Sequence, residues 1–568
     1  CTCGNTTTVP EPSFIDKKIN KMIFFRNRMV MLSDENIIMS RPGDFYNFWP
    51  RSAITYTATD VIDIQCSSEK PAIVWDGIQV NSGLVLFTKT QQFMLTTDSD
   101  VLSPQTAKIN ALASYNFNNK TNPISLGTTI GFLDNAGKYS RFWEVAKILR
   151  EGEPIVVDQT KIISKLFDKE LELVSNSREN GFIFFSKKGT NTLYGYKYFN
   201  SSEQRLQQAW FTWELSGDIE HHAVLDDSLF VVVRNAGKDS LQKFSLKMDD
   251  GEYEITDNSN TVNDTTDDIL HRIHLDNSST VASSALTYDA TNDRTVFNLP
   301  QGFHKTNVAG TYTRSGTTVT VTKSSHGLNV DDSIHLTFTS GGATDNTYTV
   351  KTVADANTFT ITDTASGTIT TSDVKLNYGT LGVYVIPSST DLTFQGRSEN
   401  VLTFVESGVA KVILPGNWKT YDPQYVEDGD TADDITPTND IILGYQFDME
   451  VKFPTIYYKQ PVGDQWRSIL NGSLVIHRVK LNFGANGLFT TTINRTGKPV
   501  YTETWEPTIA DQYGANRVQI NEQLTQVIPT YERNKNLTLT FKSSHPTPAT
   551  LYSMTWEGDY TNQNYKLV

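Results

Sequence analysis

Cysteine is almost missing from this sequence. Cys1, Cys3 and Cys66 are the only three among 568 residues, too few for a disulfide framework. The pair Cys1-x-Cys3 lacks the second pair that a structural zinc site needs, so no metal and no cofactor are assigned. Long apolar runs are missing as well. None approaches the roughly 20 residues that cross a bilayer as a helix, so no membrane-spanning segment is expected. Positive charge is in deficit: 49 Lys and Arg stand against 64 Asp and Glu, a net charge of -15. That balance argues against a protein whose task is to grip nucleic acid, but not against one that lets nucleic acid slide past. The catalytic signatures are missing too. There is no Gly-x-Ser-x-Gly elbow, P-loop, His-Glu-x-x-His or dinucleotide fingerprint, and no catalytic residue is assigned. Carboxylates are so abundant that a glycosidase pair could be drawn anywhere, so their presence says nothing.

What the sequence does have is a succession of short strands. Apolar runs at Ile23–Phe25, Met29–Leu32 and Ile37–Met39 are separated by Arg26-Asn27-Arg28 and by Ser33-Asp34-Glu35-Asn36, the pattern of an antiparallel meander. Arg41-Pro42-Gly43-Asp44 breaks the sheet, and Phe45, Tyr46, Phe48 and Trp49 follow as an aromatic knot. So small a unit needs sheets beside it. Comparable units recur: Gly83–Thr88 with Phe93–Leu95, Thr129–Leu133 with Tyr139–Val145, then Gly181–Lys187, Leu193–Phe199, Ala209–Leu215 and Ser228–Arg234. A radial stack of small sheets is the natural reading. Trp210 and Trp213 fall on opposite or offset faces of one strand, which reads as sheet packing. One helix is expected over Asp158–Leu171, with Asp158 as N-cap and Ile162, Ile163, Leu166, Phe167 and Leu171 on one face.

The composition shifts at Ala309–Asp373, where nineteen of 65 residues are Thr and none is Trp. This segment reads as a small β-domain inserted at a loop tip, where insertions are tolerated. The flanking strands Arg294–Leu299 and Leu381–Ile386 are expected to pair as a hairpin beneath it. Past Val401–Leu414 the chain becomes acidic and then strand-rich again. The whole is expected to be all-β. An irregular β-propeller occupies 14–300 and 376–420 after an extended lead-in over 1–13. A Thr-rich domain is inserted over 305–375, and a C-terminal β-rich channel domain covers 421–568.

Two stretches concentrate negative charge. Asp249–Asp268 holds eight acids and Asp422–Glu450 nine, neither with any Lys or Arg. In a ring of subunits each acid becomes a circle of charges, which would repel phosphate and keep a passing duplex off the wall. The candidate channel-facing acids are Asp249, Asp250, Glu252, Glu254, Asp264, Asp267, Asp268, Glu427, Asp428, Asp430, Asp433 and Asp434. Solvated acidic loops are the plainer reading of the same runs. The sequence DGDTADD lacks the Gly and Glu that an EF-hand loop requires. His221-His222 and His271-x-x-His274 read as surface or packing histidines, since strand positions 271 and 274 face opposite ways. Arg26, Arg28 and Arg41, set among aromatics, are candidate subunit contacts.

Several of these stretches resemble a known family. Ser-Arg-Pro-Gly-Asp-Phe-Tyr-Asn-Phe at 40–48, Gly83–Thr88 with Phe93–Leu95, Gln-Ala-Trp-Phe-Thr-Trp at 208–213, Val-Leu-Asp-Asp-Ser-Leu at 224–229 and Trp-Glu-Gly-Asp-Tyr at 556–560 resemble tail tubular "nozzle" proteins of T7-like short-tailed bacteriophages. The Thr-rich insert looks like a module of marine cyanophage structural proteins. The resemblance implies a structural protein at the distal end of the virion tail. It implies a homohexameric ring under an adaptor, with tail fibres nearby and double-stranded DNA passing through during ejection. Members of the family carry a substantial portion ahead of the propeller, so a fragment or split product is implied. A carbohydrate-binding or carbohydrate-cleaving propeller is the alternative. It would need exposed aromatics beside a carboxylate pair.

Overall fold

The computed structural model describes residues 9–68, 70–97, 99, 101–135, 137–146, 148, 154–200, 205–235, 238–247, 252–255, 268–271, 274–300, 308–377, 380–387, 397–406, 409–418, 441–462, 465–470, 472–505 and 523–562. Among them the chain is all-β, with only three single turns of 3-10 helix between strands. It divides into two compact units, Cys1–Met248 and Asp249–Val568. That division falls inside the span 14–300 that the sequence reading gives to one propeller.

The first unit opens on a four-stranded antiparallel sheet of Ile19–Phe25, Arg28–Ser33, Asn36–Met39 and Ile62–Gln65. Arg26 and Asn27 both take positive φ, 46° and 57°, and Phe25 pairs directly with Arg28. This two-residue primed turn matches the strand twist and fixes the register. Arg28 is therefore the first residue of the second strand and not part of the turn.

Three further meanders follow, and consecutive sheets stack face to face in chain order, as propeller blades do. Alternation along one strand shows how. Gly83–Thr88 is buried at every position. Leu84 and Leu86 pack against Phe25, Val30, Leu32, Ile37 and Met39 of the first sheet. Val85 and Phe87, pointing the other way, pack against Ile130, Phe132 and Val145 of the third. The third sheet repeats the device: Leu133 and Phe142 meet Ile183, Phe185, Tyr194 and Tyr196 of the fourth. Each such side chain, fully buried, contributes about 1.5–3 kcal/mol.

The fourth sheet has six strands over residues 173–245. Its 21-residue strand Arg205–Leu225 pairs with Thr190–Asn200 through its first half and with Ser228–Asn235 through its second. The sheet thereby folds over and encloses Phe184, Leu193, Ile219, Leu229, Val231 and Val233. Trp210 lies with Phe142, Phe167, Phe185 and Tyr196, while Trp213 lies with Phe184, Phe211 and Phe244. The two tryptophans serve opposite faces, as the spacing predicts.

The expected helix over Asp158–Leu171 does not form. Asp158 ends the strand Ile155–Asp158, paired with Trp143, and only Lys161–Ile163 makes a 3-10 turn. The Asp158 carboxylate accepts from the amide and hydroxyl of Thr160. Phe167 and Leu171 go into the core between the third and fourth sheets. The same apolar residues satisfy that core from an irregular segment, and tertiary packing overrides the helical period.

In the second unit a seven-stranded antiparallel sheet is assembled from distant segments. Its order is Asp276–Val281, Ile441–Tyr445, Thr380–Pro387, Arg397–Glu406, Val409–Pro415, Arg294–Asn298 and Thr287–Asp289. The expected hairpin between the strands flanking the Thr-rich segment is therefore wrong. Arg294–Asn298 pairs with Val409–Pro415, and Thr380–Pro387 pairs with Arg397–Glu406 and Ile441–Tyr445. Two strands lie between the flanking pair. Residues 308–377 form their own five-stranded sheet, around a core of Tyr312, Val319, Val321, Ile334, Leu336, Phe359, Ile361 and Leu376. Beside a short hairpin of Lys459–Val462 and Gln465–Ser468, the C-terminal strands make two larger sheets, one centred on Ser473–Asn486 and one on Leu537–Ser543 with Phe489–Arg495. Alternate residues Leu474, Ile476, Val479, Leu481 and Phe483 meet Phe489, Ile493, Leu539 and Phe541 in one sandwich core.

Candidate functional site

Of the twelve candidate acids, Asp249, Asp250, Asp264, Asp267, Glu427, Asp428, Asp430, Asp433 and Asp434 lie outside the described residues. Glu252, Glu254 and Asp268 are placed by backbone alone. They sit on the hairpin of Glu252–Ile255 and Asp268–His271, with Ile255 opposite Asp268.

The three arginines are fully described, and they part company. Arg28 is 2% exposed. Its guanidinium donates to the carbonyls of Ser40 (2.8 Å), Asp60 (2.7 Å), Ala58 (3.1 Å) and Leu102 (3.3 Å). Burial pushes its pKa down, and the nearby Asp60 charge works against that. Arg28 thus spends its donors within its own chain, on the two ends of the loop 41–60 and on Leu102 beyond the second sheet's strand Gln92–Thr97. Arg26 is exposed, in the turn, with its guanidinium 5.7 Å from the Phe25 ring centre. Arg41 is half-buried, and its backbone forms an isolated antiparallel β-bridge with Asp44.

Arg28 closes the base of the loop 41–60, and Asp60 closes its end. Burial pushes the Asp60 carboxyl up. The amides of Thr57 and Arg51 and the Thr57 hydroxyl outweigh this and hold it below the usual range. Further turns lock the interior: Asn47 Oδ1 accepts from the Trp49 amide, and Ser52 Oγ from the amides of Ile54 and Thr55. A loop pinned this way is a rigid surface feature.

Its tip is apolar. Tyr46 is 94% exposed and Ile54 91%, with Trp49 and Tyr56 also in the open. Phe45 lies edge-on to Phe24 with ring centres 5.0 Å apart, which carries the loop onto the outer face of the first sheet. There Met22 and Phe24 are exposed too. Among the described residues, eight of the 23 exposed large hydrophobics fall between Ile15 and Tyr56. The strand Ile19–Phe25 is also an edge of its sheet. Exposed large apolar side chains concentrated in one stretch of chain in this way point to an interaction surface.

A second surface is polar. On the C-terminal sandwich, His477, Arg478 and Lys480 lie along the strand Ser473–Asn486. Glu557 takes both Arg478 (2.6 Å) and Lys480 (2.7 Å), and Asp559 takes His477 (3.2 Å). Tyr531 stacks on His477 at 5.5 Å. Arg478 and Lys480 thus share one carboxylate, and Asp559 stands beside the His477 ring.

His222 illustrates the packing reading of the histidines. It is 3% exposed, with Nδ1 2.7 Å from the Ser175 hydroxyl and Nε2 without a partner. Burial, aided by the charge of His221, pushes its pKa down from 6.5 to about 3. The folded state thus keeps it neutral, while the unfolded chain takes a proton near pH 6.5. Stability from this group is full above pH 6.5 and falls as pH drops towards 3, by up to about 1.4 kcal/mol per pH unit. In thermal scans between pH 6.5 and 4.5, a His222→Leu variant should lose part of the acid sensitivity of the unit holding residues 1–248. An unchanged pH slope would disprove the assignment.

The bacteriophage nozzle protein family matches residues 1–398 and 388–567, which is nearly the whole chain. The chain belongs to that family. It is a structural protein of the virion tail. It is similar to the tail tubular protein gp12 of Escherichia phage T7, at 25% identity over 251 residues. That match covers 43% of this chain and 31% of the T7 protein, so it spans under a third of the relative's length. Among solved structures, a luciferin-regenerating enzyme is 10% identical, covering 52% of this chain and 90% of its own, with a TM-score of 0.25. An exo-β-1,3-galactanase from Phanerochaete chrysosporium is 10% identical, covering 76% and 94%, with a TM-score of 0.16. Scores this low carry no argument about this nozzle protein.

Two features of the nozzle chain went unread in the sequence. The signal for Arg28 was present, since it shares strand parity with the buried Val30 and Leu32. The exposure of Tyr46 and Ile54 had no signal, because loop aromatics pack inward as often as they point out.

Proposed function

We propose that this protein works as a section of the distal tail tube, closing with further copies into a ring through which genomic DNA passes. The family match along the chain carries this reading. The ring is taken as a homohexamer, and closing a head-to-tail contact around an axis leaves no open ends. Its outer faces dock the tail adaptor and fibres. Its work is mechanical and electrostatic rather than catalytic. At least one of the acidic stretches 249–268 and 422–450 lines the passage and limits adhesion to phosphate. The pairing of Arg478 and Lys480 with Glu557 suits the same task, because a cation held by a carboxylate invites a phosphate less than a free one does.

The mass of the native assembly, with its symmetry seen in projection, tests this reading. Six times the 63.6 kDa chain arranged around an open axis is the expected result. A monodisperse monomer, or a bore lined mainly by Lys and Arg, would overturn it.

A further inference from the structure

We propose that the domain over residues 308–377 is an arm docked on its host sheet by a latch that can open. Arg294 of the sheet, closing on Asp332 of the domain, is that latch. Three observations carry it.

First, the domain holds itself together. Its core of Tyr312, Val321, Ile334, Phe359, Ile361 and Leu376 draws every described member from residues 312–376. The core of the host sheet, with Phe297, Val412, Leu414, Ile441 and Leu443, draws none of its described members from that span. The strand Ser333–Phe338 comes close to Arg397–Glu406 of the host sheet, yet its Ile334 and Leu336 turn into the domain's own core. Two bodies without a shared apolar core are joined weakly, and relative motion is the expectation for them.

Second, an ion pair crosses between the two bodies. Arg294 opens the strand Arg294–Asn298, and its Nη1 donates to Asp332 Oδ1 at 2.5 Å. The two side chains are 18% and 3% exposed. Asp332 is fastened within the domain. Its carbonyl accepts from the Val350 amide at 2.8 Å, and its Oδ2 accepts from the Asn329 amide at 2.7 Å. The pair therefore fixes the angle of one body against the other.

Third, opening the pair strands neither group. Arg294 Nε keeps Asp289 Oδ2 at 3.0 Å, on the neighbouring strand Thr287–Asp289, and Asp332 keeps the Asn329 amide. Burial pushes the Asp332 carboxyl up, while the Asn329 amide and the Arg294 charge pull it down. Desolvation of this kind offsets much of the attraction within a buried pair. The docked arm is thus held by a contact that can be given up without unfolding either body.

The test uses the full chain, with Cys1→Ser and Cys3→Ser so that spin labels go to Thr291→Cys in the host and Ser315→Cys in the domain. Both label sites are exposed, and Cys66 is buried. Labelled chain is diluted with unlabelled chain, so that pulsed dipolar spectroscopy reads distances within one molecule. Otherwise wild-type protein should give a single narrow distance distribution. Arg294→Met leaves Asp332 without its cation and should shift and broaden that distribution. Arg294→Lys keeps the charge but loses the fork, and should fall between the two. Asp289→Asn spares the latch and should leave the distribution narrow. Hydrogen exchange of the strands Val308–Thr322 and Thr358–Asn377 should be as slow in each variant as in wild type. A broad distribution in wild type, an unchanged one in Arg294→Met, or equal broadening in Asp289→Asn would overturn the latch. Faster exchange of those strands in Arg294→Met would overturn the arm itself, by showing that the domain's core depends on its docking.

Discussion

Arg28→Ala should destabilise the first unit by about 3–5 kcal/mol, the range seen when one member of a buried polar network is deleted. The substitution removes the donors that reach four carbonyls, those of Ser40, Ala58, Asp60 and Leu102. Each buried carbonyl left unpaired costs about 1–3 kcal/mol unless water replaces the donor. Arg28→Lys should recover only part of the loss. An ammonium presents three donors at one point, whereas the guanidinium fork reaches carbonyls that come from opposite sides of the loop. In calorimetry the transition of the unit holding residues 1–248 should drop by on the order of 10 °C for Ala, and by clearly less for Lys. Proteolysis should then cut within 41–60 before other sites, because the clamp at the loop's base is gone. A shift below about 2 °C for Arg28→Ala would mean the carbonyls find other partners and the clamp is not what holds the loop.

The strands were legible wherever alternation was strong. Gly83–Thr88 reads as a strand from its apolar content, yet the sequence implies burial of at least one face only. The structure covers both, because sheets lie on each side of it. A run of six apolar or small residues cannot itself report how many layers cover it. Trp210 and Trp213 were legible because an odd separation of three residues along a strand puts side chains on opposite faces.

Two readings failed for physical reasons that the residues do not display. The segment after Asp158 has helical spacing, but Phe167 and Leu171 are claimed by a core whose other members come from both sides of the chain, Leu133 and Phe142 before it and Phe185 and Tyr194 after it. The strands flanking the Thr-rich segment were assigned to each other by proximity in sequence. Their true partners, Val409–Pro415 and Ile441–Tyr445, enter only afterwards. Nonlocal pairing is the part of a β topology that local pattern does not encode. For the candidate site, the arginines divide by parity. Arg28 faces the core with Val30 and Leu32, while Arg26 occupies a turn that faces solvent.

The junction of the third and fourth sheets should give the second large effect. Arg205 binds Glu144 with both ends of its fork, Nη1 to Oε2 at 2.6 Å and Nη2 to Oε1 at 2.8 Å. Thr129 and Gln159 donate to the same carboxylate at 2.7 and 2.8 Å. Arg205 Nη1 also reaches the Tyr196 hydroxyl, and its charge lies 4.9 Å from the centre of the Tyr198 ring. Burial lowers the pKa of Arg205, but the contacts to Glu144 outweigh that and hold it above the ordinary value. Glu144→Met strands that charge between two sheets and should cost about 3–5 kcal/mol. Arg205→Met strands the carboxylate instead, with a cost of the same order. The double variant Glu144→Met, Arg205→Met leaves no charge behind and should lie well short of the sum of the two single losses, with a coupling above about 2 kcal/mol. Denaturant midpoints of the four proteins close the cycle. Strictly additive losses, or a single-variant cost under about 1 kcal/mol, would show that apolar packing around Phe142 and Tyr196, and not this ion pair, joins the two sheets.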